Sequence, residues 1–179
     1  MLYKEYKKDG NVAVVEIDES NGEVSDIQVT HNITNTNMGS VDAPNLDPVA
    51  YPINSGERSF AKYHRFHVTD LGGSSNVQNL RIWRTGDLGG DEDSLLCNLK
   101  TENYNQNNYA EPTRAEISGV VNDMPTEETD SANLGIAGAL NGSLTAVGFS
   151  DYFVHQLVVN AGAVGGSTYV LNYQYDELA

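Results

Sequence analysis

The chain has 179 residues, of which 39% are hydrophobic and 20% charged, and it carries a formal net charge of -15. This length fits one domain whose core needs no disulfide or metal, and the composition excludes a disordered chain. So acidic a surface repels phosphate backbones and anionic lipids, which excludes direct binding to nucleic acid or to a membrane.

The charge is unevenly placed. Residues 1–8 set Lys4, Lys7 and Lys8 against Glu5 and add Tyr3 and Tyr6. Residues 1–11 therefore read as a basic N-terminal arm ahead of a single domain over 12–179. So short a segment buries too little surface to order itself, so it is expected to be mobile until a partner receives its tyrosines and lysines. No apolar signal-peptide core follows the arm, and no stretch approaches the roughly 20 apolar residues of a membrane helix.

Beyond the arm, short alternating segments are separated by Gly, Asn, Asp, Ser and Pro. Asn11–Ile17, Val24–Ile33, Lys62–Val68, Val77–Arg84, Phe153–Val159 and Ser167–Tyr175 alternate with period 2, the mark of half-buried strands. In the last of these Tyr169, Leu171, Tyr173 and Tyr175 share one face, the expected core face. Weaker strands are expected at Leu95–Lys100, Ala115–Val121 and Leu140–Phe149. Asn21-Gly22 favours a tight hairpin turn. Thr34–Glu57 is a long loop with Pro44, Pro48 and Pro52, and the only helical hint is a turn near Ser131–Ala137. Many short strands without a βαβ rhythm predict an all-β fold, an antiparallel β-sandwich or jelly-roll-like single domain with long loops.

Chemistry-bearing motifs are scarce. There is no G-x-S-x-G, no H-E-x-x-H and no phosphate loop, and the single cysteine, Cys97, sits in an apolar run that predicts an inert buried thiol. His64 and His67 form H-x-x-H, but three residues along a strand put the two rings on opposite faces, so they are not expected to share a metal. His31 and His155 have no ligand-type neighbours in sequence and read as structural. Asp87, Asp91, Glu92 and Asp93 crowd one loop, yet their spacing does not match a calcium-binding loop. No catalytic centre, cofactor or metal is therefore expected, and the chain is predicted not to be an enzyme. Trp83, off the Leu80/Ile82 face and flanked by arginines, is the aromatic expected to be partly exposed for a partner.

Two stretches carry a resemblance. Ser59–Phe66 with Val77–Trp83, and the later segments Leu134–Gly138, Gly142–Thr145, Gly148–Tyr152 and Leu171–Glu177, resemble small structural proteins of tailed bacteriophages. The likeness spans most of residues 55–177, in composition and pattern rather than in a chemical signature. It implies a virion component assembled in the host cytoplasm, most simply a head-decorating protein bound to the major capsid protein, and a homo-oligomer. Tail or neck placement beside tail proteins is the near alternative. A carbohydrate-binding jelly-roll adhesion module using Trp83 and Tyr63 is the alternative from another class. Lys4, Lys7, Lys8, Tyr3, Tyr6 and Trp83 are the expected partner-binding residues.

Overall fold

The computed structural model describes residues 13–89, 93–98, 109–117, 121–128, 143–163 and 168–178, and the backbone of 2–6. Within them the alternating segments form strands: β1 (Leu2–Tyr6), β2 (Val14–Asn21), β3 (Gln28–Thr30), β4 (Lys62–Asp70), β5 (Asn76–Thr85), β6 (Ser94–Asn98), β7 (Asn122–Asp123), β8 (Ser143–Leu144), β9 (Gly148–Phe149), β10 (Phe153–Val158) and β11 (Val170–Leu178). One sheet has the order β1-β11-β5-β8; the other runs β3-β2-β4-β10-β6-β7, with β9 added to β4. Every pairing is antiparallel except that of β1 with β11. The result is an all-β sandwich, and the described residues contain no helix, hence none long and apolar enough to cross a membrane.

The core lies between the sheets. Val15, Ile17, Phe66, Val68, Leu95, Cys97 and Phe153 come from one side, and Val77, Leu80, Ile82, Leu171, Tyr173 and Tyr175 from the other. Phe66 meets Tyr173 edge-on at 5.9 Å between ring centroids. Each large apolar side chain buried here contributes about 1.5–3 kcal/mol. Strict alternation would not bring both Val77 and Leu80 inward. A bulge opposite Gln174–Asp176, with Asn79 at φ 53°, resets the phase so that both reach the core. The larger sheet is covered on its second face as well, where Ala61, Tyr63, Tyr109, Ile117, Tyr152 and Val154 form a separate apolar cluster.

The departures from expectation have local causes. The β2–β3 hairpin forms, but over the longer connection 22–27 rather than a two-residue turn, and β3 keeps only three of the residues expected to be extended. Asp26 turns back to donate its N–H to the Glu23 carbonyl, and Gly22 sits at φ 94°, where a Cβ would lie 2.6 Å from the Asp26 carbonyl oxygen. Of the expected strand at Leu140–Phe149, the described residues 143–149 form only the short β8 and β9. Residues 115–117 of the expected Ala115–Val121 strand are not extended into a ladder. The expected turn near Ser131–Ala137 lies outside the described residues.

Leu2–Tyr6, read from the sequence as a mobile arm, has its backbone in register with β11, from Leu2 beside Val170 to Tyr6 beside Gln174. Parallel pairing supplies backbone partners that the segment lacks alone.

Candidate functional site

The β2–β4 ladder is where this chain gathers its ionisable side chains. Its register sets Glu16 against His67, Asp18 against Arg65 and Glu19 against His64. Successive residues of a strand point to opposite faces, so Asp18 and Glu19, neighbours in sequence, enter different environments.

Glu19 enters the sandwich interior. Its Oε1 accepts hydrogen bonds from Lys62 Nζ at 2.6 Å and Asn21 Nδ2 at 3.0 Å, and its Oε2 lies 3.1 Å from His64 Nε2. Lys62 Nζ also donates to the Ala43 carbonyl at 2.5 Å, so the long loop after β3 caps the buried ammonium. His155 meets the His64 ring edge-on at 4.7 Å between centroids, and Glu19, Lys62, His64 and His155 are all buried. Burial alone would raise the Glu19 carboxyl, but the hydrogen bond from His64 and the charge of Lys62 outweigh it and hold it below its usual value. Burial lowers His64 against the pull of Glu19. Burial, reinforced by the cations beside it, lowers His155 further, so its ring is neutral at neutral pH. Neither nitrogen of His155 has a hydrogen-bond partner among the described residues. Sealed from solvent, this quartet ties β2, β4 and β10 together in the interior.

Asp18 enters the opposite face. It is fully buried, yet Oδ2 lies 3.0 Å from Nδ1 of half-exposed His31, 3.4 Å from Nδ1 of His67 and 3.3 Å from Nε of Arg65. The Arg65 guanidinium lies 3.6 Å over the Phe149 ring and donates to the Tyr152 hydroxyl at 3.2 Å. His67 packs against the same Phe149 ring at 4.3 Å. Asp18, His31 and His67 have donor atoms within 4.8 Å of one another. H-x-x-H thus divides between the two faces as its spacing requires. His31 read as structural from the sequence and Asp18 was not singled out, because the two meet only through the β2–β3 hairpin.

The other sequence-predicted residues fall as follows. Tyr3, Lys4 and Tyr6 lie on β1, opposite Leu171, Asn172 and Gln174. Lys7 and Lys8 lie outside the described residues, as do Asp91 and Glu92. Asp87 accepts the Gly89 N–H and Asp93 the Asn160 N–H, so both serve their loops. Trp83 is not partly exposed: only 9% of its surface is accessible. The segment after β7 runs alongside β5 there, with Arg84 N–H on the Pro125 carbonyl at 2.8 Å and Arg81 paired with Glu128. Tyr63 is buried as well, so the two aromatics proposed as a sugar platform are not at the surface.

Comparison with protein-family models, curated proteins and solved structures returns no match to this chain.

Proposed function

We propose that this chain is a non-enzymatic structural component of a bacteriophage virion, a head-decorating or auxiliary protein that seats on the assembled shell through the sheet edge formed by β1. The observation that carries the reading is the edge itself. β1 lies parallel to β11 over five residues, and among the described residues nothing pairs with its other side. An open strand edge is a template for a strand of another subunit, and β-augmentation of this kind joins proteins through main-chain hydrogen bonds. Tyr3, Lys4 and Tyr6 lie on that edge, where a partner strand would meet them. The resemblance of Ser59–Trp83 and of the C-terminal segments to phage structural proteins points the same way, and a sandwich buried on both faces of its larger sheet suits a durable assembly.

The test is fractionation of virus particles from cultures whose phage genome encodes the chain. The chain should band with intact particles at a fixed stoichiometry and be lost when residues 1–8 are deleted. Recovery only in the soluble lysate would overturn the proposal, and recovery on isolated tails but not heads would place it at the tail or neck.

A further inference from the structure

The geometry points to a second property, independent of the virion reading: Asp18, His31 and His67 form a binding site for one divalent transition-metal ion, with zinc the best fit. Zinc takes imidazole nitrogens at about 2.0–2.1 Å and carboxylate oxygens at about 2.0–2.2 Å in a tetrahedron, so adjacent donors stand about 3.3–3.5 Å apart. The Asp18–His67 donor distance of 3.4 Å matches that spacing, and the Asp18–His31 distance of 3.0 Å is a few tenths of an ångström shorter.

Orientation supports the same assignment. His67 Nδ1 is buried and makes no hydrogen bond among the described residues although Asp18 Oδ2 is 3.4 Å away. A ring nitrogen beside a carboxylate oxygen but not aligned with it is the arrangement of two ligands converging on a third point. Asp18 is fully buried, and its other oxygen, Oδ1, has no hydrogen-bond partner among the described residues. Buried polar atoms are rarely left unpaired, so the His67 nitrogen, beside the Asp18 oxygen from which the site is built, calls for an occupant. Two imidazoles with one carboxylate suit zinc and its borderline neighbours, whereas calcium and magnesium need oxygen ligands. Glu16 Oε2, 3.9 Å from the same His67 nitrogen, is placed to complete the coordination. Arg65 and the Phe149 ring hold the Asp18 carboxylate and the His67 ring in place. The guanidinium's charge opposes the ion and moderates its affinity. His31 follows directly after β3, so an ion here would clip the start of the long loop to the β2–β4 ladder.

Metal-free full-length protein titrated calorimetrically with zinc chloride should bind one ion per chain, and cobalt(II) in its place should give the intense visible bands of a tetrahedral site. His31→Gln is the decisive variant, because its side chain is 55% exposed and the substitution leaves the fold intact. It should weaken zinc binding at least tenfold without changing the melting temperature of the metal-free protein. His67→Gln should do the same and abolish the cobalt bands. No binding at micromolar zinc, or unchanged binding in His31→Gln, would overturn the assignment.

Discussion

The centre of the larger sheet and the outer edge of the smaller one handle polarity in opposite ways. At β2, β4 and β10 the chain takes Glu19, Lys62, His64 and His155 out of water altogether, and closes a loop carbonyl, Ala43, over the ammonium. At β1 it leaves one side of a ladder open among the described residues. The first arrangement is costly to disturb and contributes to folding, whereas the second is cheap to remove and is suited to contact. The separation of buried charge from open edge is the physical basis for assigning a structural role to one region and a docking role to the other.

Removing one partner of the buried ion pair is the harshest way to break that contrast. Glu19→Ala should destabilise the protein by about 3–5 kcal/mol, because it strands Lys62 uncompensated in the interior. Urea denaturation measures it. A loss below about 1 kcal/mol, the range of exposed pairs, would mean that the quartet is not sealed.

Acid should act on the same region. Folding lowers His155 and His64 from the ordinary imidazole value, so the unfolded chain binds more protons than the folded one as pH falls below about 6.5. Stability should therefore be at its plateau above that pH and decline beneath it. Glu19, also lowered, adds a further loss below about pH 4.5. Melting temperatures across this range should fall monotonically toward acid, and His155→Phe should flatten the upper part of the decline. A rise in stability between neutral pH and 6 would contradict the burial of neutral imidazoles.

Gly22→Ala is a smaller perturbation at the end of β2. It places a Cβ 2.6 Å from the Asp26 carbonyl at φ 94°, and should cost about 1–3 kcal/mol by chemical denaturation. Deleting residues 1–8 should cost least of all, because chain ends open at little free energy, while it removes the edge proposed for docking. A large drop in melting temperature on that deletion would make β1 a part of the core sheet and not a contact element.

The legible part of this architecture was the part that period 2 alone decides. Lys62–Val68, Val77–Arg84 and Phe153–Val159 became β4, β5 and β10 within a residue or two, and Tyr169, Leu171, Tyr173 and Tyr175 do share the buried face. The same period placed His64 and His67 on opposite faces. What it does not encode is the layer beyond each face. Trp83 lies off the core face as read, but the segment running to Glu128 passes beside it and leaves it buried. The meeting of Asp18, His31 and His67 depends on the β2–β4 register and on a six-residue hairpin connection, neither of which follows from alternation within a strand. The parallel seat of Leu2–Tyr6 on β11 joins opposite ends of the sequence and has no local signal.

The central claim is that this sandwich joins a virion through its β1 edge. A cryo-electron microscopy reconstruction of particles bearing the chain tests it directly. The account predicts the domain on the outside of the head shell, with the open side of β1 continued by a strand of a neighbouring subunit. A reconstruction in which the domain is absent from the particle, or in which β1 faces solvent while another surface makes every contact, would contradict it.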